Sequence, residues 1–155
     1  MKTHPTPVLI DSPVGPLGFD ADDGAVTALH WGQAGTLAPC ALADQVSAEL
    51  AAYFAGDLHS FSVPLAPRGS AFQQDFYAAL CAIPYGETRT YGDLAAKLKV
   101  SAQAIGQACG ANPIAIMIPC HRVLGATSLG GFSGFGGVEA KVTLLRLEGA
   151  AGLLI

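Results

Sequence analysis

The chain has 155 residues, 51% of them hydrophobic, with a formal net charge of −4, enough apolar content to bury a sizeable core in one domain or two small ones and to exclude a disordered chain. Gly, Pro or charge interrupts every strongly apolar stretch short of a membrane span, and Met1-Lys2-Thr3-His4-Pro5 lacks the apolar core of a signal peptide, so a cytoplasmic protein without membrane contact is expected. Four cysteines without Cys-x-x-Cys spacing give no sign of a disulfide framework or zinc knuckle.

Short apolar runs at 8–10, 16–19 and 26–29, separated by Ser12-Pro13 and Asp22-Asp23-Gly24, predict three antiparallel strands. Residues 31–39 read as a Gly-containing loop. Asp44 then opens a helical pattern with Val46, Leu50, Tyr53 and Phe54 on one face and Gly56 at its end. Tyr53 and Phe54 read as core residues beneath a helix that covers the sheet. Residues 60–65 are expected to add a strand, and 66–69 to link two domains, 1–67 and 68–155. The first carries Lys2 against seven acids, net −6; the second carries seven bases against five acids, net +2. That is a weak footprint for nucleic acid, and it falls on the second half.

In that half Ser70 is the expected N-cap of a helix to about Ile83, with Phe72, Phe76, Ala79, Leu80 and Ile83 at helical spacing and Pro84-Tyr85-Gly86 as the stop. A second helix begins after Thr90 and a third runs from Ser101 to Ala111, joined by a turn at Lys99-Val100. The pair predicts a helix-turn-helix unit, a pattern shared by many helical pairs that bind nothing. Residues 112–117 read as extended, because Pro113 and Pro119 bias the residues before them away from helix. A Gly- and Ser-rich loop at 125–137 would let a flat ligand approach the backbone, although surface loops have the same composition. It lacks the residue order of a phosphate cradle, which disfavours nucleotide hydrolysis. A last helix is predicted at 138–147, with Val142, Leu144, Leu145 and Leu147 in apolar contact and Glu148 at its end.

The chemistry is expected at Ile118-Pro119-Cys120-His121-Arg122-Val123, where a thiol directly precedes an imidazole and a guanidinium. A free thiol has a pKa of about 8.5, and a neighbouring base or positive charge raises its thiolate fraction. A cysteine in an apolar run is more commonly a buried structural residue, the role expected of Cys40, Cys81 and Cys109.

The stretch from Asn112-Pro113-Ile114 to Val123, followed by Gly130-Gly131-Phe132-Ser133-Gly134 and Leu144-Leu145-Arg146-Leu147-Glu148-Gly149, resembles the O6-alkylguanine-DNA alkyltransferase family. The likeness extends to Phe72-Gln73-Gln74, Ile83-Pro84-Tyr85-Gly86-Glu87-Thr88 and, more weakly, Ser12-Pro13-Val14-Gly15-Pro16-Leu17, and so covers nearly the whole chain. It implies an α+β protein with an amino-terminal antiparallel sheet and covering helix, RNase H-like, and a mostly helical winged-helix-like domain with a helix-turn-helix. It also implies irreversible, single-turnover transfer of an alkyl group from a flipped O6-alkylguanine in DNA to Cys120, with no metal and no organic cofactor. A monomer is expected.

By the same resemblance His121 takes the Cys120 proton through a water, Glu148 holds the imidazole, and Asn112 braces the segment around the thiol. Tyr91 would donate to the purine ring, the Val123 carbonyl and Ser133 amide would read guanine, and Phe132 would form an aromatic wall where the family often has tyrosine. Thr90, Ala102, Gln103 and Arg122 fall on the DNA-binding side, Arg122 mainly to fix the local backbone. The second helix of the helix-turn-helix would enter the minor groove. Gln103 stands where the family carries the arginine that fills the base stack, and no Arg lies between Arg89 and Arg122. The stretches 91–103 and 120–132 are two residues and one residue shorter than the family pattern. Two rivals remain: a non-catalytic sensor that binds alkylated DNA and recruits repair factors, whose relatives replace the cysteine, and a thiol hydrolase using Cys120 and His121 with turnover.

Overall fold

The computed structural model describes residues 8–32, 35, 40–125 and 137–150. The chain divides into two compact units, Met1–Pro67 and Arg68–Ile155. No helix among the described residues is long and apolar enough to cross a membrane.

The first unit is built on a hairpin of β1 (Leu17–Asp22) and β2 (Ala25–Trp31), paired antiparallel with Phe19 opposite Leu29 and a bulge at Asp20/Ala21. Asp23 and Gly24 turn the chain with φ of 51° and 77°, the left-handed pair that matches the twist of a two-residue hairpin. Leu17, Phe19, Val26 and Leu29 form the buried side. Two expected strands shrink to single bridges. Ile10 exchanges both backbone hydrogen bonds with Leu17 at 2.7 Å, but Pro13 and Pro16 lack the N–H groups that would extend the ladder. Leu65 bridges Val26 in parallel, through Val26 N–H to Pro64 O and Ala66 N–H to Val26 O; Pro64 likewise has no donor to continue.

Helix α1 (Ala41–Phe54) buries Ala43, Val46, Leu50 and Tyr53 in one stripe. It begins three residues before Asp44, because the exposed Cys40 is its N-cap and accepts the Ala43 N–H at its Sγ, 3.5 Å away. Asp44 sits instead in the first turn, where the helix dipole favours a carboxylate. Glu49 fastens this helix to the following segment by accepting Ser62 N–H (2.7 Å), Ser62 Oγ–H (2.7 Å) and Val63 N–H (3.2 Å). Since Pro64 and Ala66 then bond Val26, one carboxylate ties the α1 register to β2.

The second unit begins with α2 (Ala71–Cys81), closed by a reciprocal cap in which Gln73 N–H donates to Ser70 Oγ and Ser70 N–H to Gln73 Oε1. Strand β3 (Arg89–Thr90) leads directly into α3 (Tyr91–Leu98), where Thr90 and Asp93 repeat the same cap. Lys99 turns the chain at φ 58°, and Ser101 caps α4 (Ala102–Gly110). The helices α3 and α4 are the helix-turn-helix pair.

A 3-10 turn at Cys120–Arg122 opens β4 (Val123–Leu124), which runs parallel to β3 with Arg89 opposite Val123 and Thr90 opposite Leu124. This two-residue pairing, too short to register as a sequence pattern, sets the start of α3 beside the strand leaving Cys120. Helix α5 (Gly137–Leu147) buries Ala140, Lys141, Leu144 and Leu145.

Lys99 pays the steric cost of a left-handed backbone that glycine avoids, so Lys99→Gly should raise the unfolding free energy by about 0.5–1 kcal/mol. Urea denaturation of the two proteins measures the difference.

Candidate active site

The segment before Cys120 is a closed turn, which corrects the extended conformation expected for 112–117. Asn112 donates from Nδ2 to Ile118 O (2.9 Å) and accepts Ile114 N–H at Oδ1 (3.0 Å), while Ile118 N–H returns to Ile114 O (2.9 Å). Ile116 is held at φ 79°, an unfavourable conformation for a β-branched residue that persists where the surroundings over-determine it. Those surroundings are complete: Asn112 and every residue from Ile114 to Val123 are buried. The prolines restrict the chain, but the Asn112 amide decides its path.

Cys120 begins the next turn. Its N–H bonds Ile118 O (2.8 Å), Arg122 N–H bonds Pro119 O (3.1 Å), and Val123 N–H closes back on Cys120 O. The thiol is 4% exposed.

His121 and Arg122 converge on one carboxylate. His121 Nε2 lies 2.7 Å from Glu148 Oε2, and Arg122 reaches the same group through Nε to Oε1 (2.8 Å) and Nη2 to Oε2 (3.1 Å). Arg122 Nη1 donates to Ile83 O (2.7 Å), and its guanidinium lies 5.8 Å from the Tyr85 ring centroid. Glu148 follows the last turn of α5, where a negative charge opposes the helix dipole. The two-pronged arginine contact offsets that penalty. Gly149 reverses the chain at φ 64° immediately afterwards, keeping the carboxylate turned inward.

This geometry fixes the state of His121. An ionised carboxylate only accepts hydrogen bonds, so Nε2 carries the proton and Nδ1 presents a lone pair. Nδ1 is buried and has no hydrogen-bond partner among the described residues. Burial pushes the imidazole below its ordinary value of 6.5, outweighing the Glu148 hydrogen bond that acts the other way. His121 is a neutral base beside a thiol.

The other sequence-derived residues divide by location. Tyr91 is half-buried at the start of α3, Val123 is buried in β4, and Thr90 uses its hydroxyl to cap α3. Ala102 and Gln103 are exposed in the first turn of α4. Phe132 and Ser133 lie outside the described residues. Arg122, placed on the DNA-binding side mainly to fix the local backbone, has its guanidinium buried on Glu148, Ile83 O and Tyr85. Cys81, like Cys40, is exposed rather than structural core. Burial, with the nearby Cys120, pushes the Cys109 thiol up to about 12. Among the described residues no group of three His, Cys, Asp or Glu side chains is placed to hold a metal ion.

Sequence reasoning missed Lys141, which is 0% exposed and donates from Nζ to Val123 O at 2.7 Å. The signal was available: Lys141 shares the apolar face of α5 with Ala140, Leu144 and Leu145.

A cysteine at the start of a tight turn, a neutral histidine with a free lone pair and a carboxylate that fixes the histidine define a thiol-nucleophile site on a helix-turn-helix unit. Residues 71–150 match the family model for the 6-O-methylguanine DNA methyltransferase DNA-binding domain. The chain belongs to this family. It is 44% identical to a methylated-DNA--protein-cysteine methyltransferase of Mycobacterium tuberculosis, over 90% of this chain and 89% of that one. Identity to the protein of that name in Methanosarcina acetivorans is 40%, over 92% and 97%. A crystal structure of Mycobacterium tuberculosis OGT in complex with DNA superposes with a TM-score of 0.79 at 42% identity, covering 90% of each chain.

Two outcomes follow from the buried carboxylate and imidazole. Glu148→Gln leaves the Arg122 guanidinium buried without its counter-charge and should cost about 3–5 kcal/mol of stability in chemical denaturation. Because the folded His121 resists protonation, the unfolded chain binds more protons just below pH 6.5. Its contribution to stability is therefore present above that pH and lost as pH falls toward the depressed folded value. In His121→Gln this part of the pH dependence should disappear.

Proposed function

We propose that this protein repairs DNA by accepting the alkyl group of O6-alkylguanine on Cys120, once per molecule. The observation that carries the proposal is the neutral His121, held through Nε2 by Glu148 with its Nδ1 lone pair free, immediately after the thiol. The names of the relatives and the DNA-bound neighbour support the same reading.

In the proposed reaction His121 removes the Cys120 proton through a water, and the thiolate attacks the alkyl carbon. The new S–C bond forms as the C–O6 bond breaks, and its electron pair passes to the guanine. The Tyr91 hydroxyl hydrogen-bonds the ring as charge develops there. Asn112 holds the thiol's turn, the Val123 carbonyl reads the guanine edge, and Phe132 and Ser133 complete the pocket. Restoring the thiol would require a nucleophile to displace the thiolate from the alkyl carbon, and the site supplies none among the described residues, so the protein is consumed. A lesion sensor has no need of a buried thiol beside a base, and a hydrolase has to release its product.

The repair machinery belongs to residues 68–155, with 1–67 as support, and the Cys120, His121 and Glu148 set lies within one chain, as a monomer requires. Action in a reducing compartment such as the cytoplasm keeps the acceptor a thiol. On DNA, α4 enters the minor groove with Ala102 and Gln103 at its leading turn and Thr90 nearby, and Gln103 takes the place of the intercalating arginine. Gln is shorter and uncharged, so base capture rather than chemistry is weakened.

Intact-mass analysis after incubation with an O6-methylguanine oligonucleotide should show one added methyl group. Cys120→Ser should show none, and uptake retained in that variant, or peptide mapping that places the group on Cys109, overturns the assignment. Extruding a base from duplex costs a few kcal/mol and less from a single strand. Gln103→Arg should therefore speed transfer from duplex more than from single strands and leave reaction with free O6-benzylguanine unchanged. Equal changes on all three substrates would place Gln103's effect on the fold or the thiol.

A further inference from the structure

Two cationic side chains are buried among the described residues, Arg122 and Lys141. Arg122 is balanced by Glu148, whose oxygens it shares with His121. Lys141 is the more deeply buried, and the mechanism above gives it no task. A buried ammonium is disfavoured unless negative charge accompanies it.

The surroundings of Lys141 point to the source of that charge. Its Nζ is anchored on Val123 O, and Val123 N–H closes the turn onto Cys120 O, so the ammonium is tied to the backbone loop that carries the thiol. From α3 the Tyr91 ring centroid lies 5.9 Å from Nζ. From α4 and the 3-10 turn, Cys109 and Cys120 act on it electrostatically. His121 also feels its charge, in the direction that opposes protonation.

We propose that Lys141 is a positioning residue for the transfer reaction, its ammonium serving as the counter-ion of the Cys120 thiolate in place of a protonated His121. This rests on the proposed function and extends it. An ammonium is a compact point charge, suited to a small anion with one lobe of negative charge. Cys109, the second thiol near it, is pushed up to about 12 and is uncharged at neutral pH. Of these two thiols, Cys120 is therefore the one left to ionise in the field of Lys141. Because that field also disfavours imidazolium, the proton received by His121 passes on to solvent, leaving thiolate, ammonium and neutral imidazole as the resting set. Burial lowers the affinity of Lys141 for its proton and the thiols raise it, so each ionised partner sustains the other.

The test measures alkyl uptake from free O6-benzylguanine, which bypasses DNA binding, by intact mass across pH. Lys141→Gln retains a donor for Val123 O and removes the charge. Its acid limb should move upward by about one pH unit, with roughly tenfold slower uptake at any pH on that limb. Lys141→Arg should restore the wild-type limb, and thermal unfolding of each variant reports the fold separately. An unshifted limb in folded Lys141→Gln overturns the proposal.

A second measurement serves if Lys141→Gln does not fold. The ultraviolet absorbance of the Cys120 thiolate, taken as the difference from Cys120→Ser, is titrated in wild type and in His121→Gln. With Lys141 as counter-ion the two midpoints coincide. With imidazolium in that role the midpoint rises in His121→Gln, and the proposal fails. A wild-type protein that forms the thiolate but takes up no benzyl group defeats the transfer reading while leaving the counter-ion assignment intact.

Discussion

Both oxygens of the Glu148 carboxylate are used, and the second unit is organised by that fact. Arg122 takes the group from two sides while His121 takes the remaining lobe of Oε2. Burial holds the imidazole below its ordinary value, and the arginine, by offsetting the charge of the acid, acts in the same direction against the pull of Glu148. The guanidinium thus meets His121 at the carboxylate they share. Its remaining bond, to Ile83 O, joins this electrostatic knot to the end of α2.

Two backbone devices support the knot. Asn112 substitutes its amide for missing main-chain partners and folds 112–118 into a turn, accepting a strained Ile116 in exchange for a fixed entry to Cys120. The parallel pair β3 and β4 then links the exit of that turn to Thr90, so the first residue of α3 is set by the strand that follows the thiol. A pair of two-residue strands has little stability alone. It holds because a capped helix begins at one end and a buried turn sits at the other.

What could be read from the sequence followed the range of the interactions. Helix starts at Ser70, Thr90 and Ser101 were legible because a cap is written within four residues. Residues 8–10 and 60–65 have the apolar character of strands, yet prolines at the points of pairing reduce each to one bridge. The pairing of His121 and Arg122 with Glu148 spans 27 and 26 residues, beyond any periodicity, and Glu148 was singled out by family resemblance alone. The same distance hid the partner of Arg122, whose expected part in fixing the local backbone carried no sign of the acid it binds. Lys141 failed differently: its place on the apolar stripe of α5 was visible, but a lysine is ordinarily assumed to reach solvent.

The order of these groups along the chain also has a bearing on biosynthesis. Cys120 is translated before Lys141 and Glu148, and both later groups arrive on or just after α5. While the ribosome is still adding that helix, Arg122 and His121 have no carboxylate to converge on, and the thiol is chemically ordinary. On the proposed reading, the reactivity of Cys120 follows the docking of the last helix, because only then do Lys141 and Glu148 reach the turn that carries the thiol.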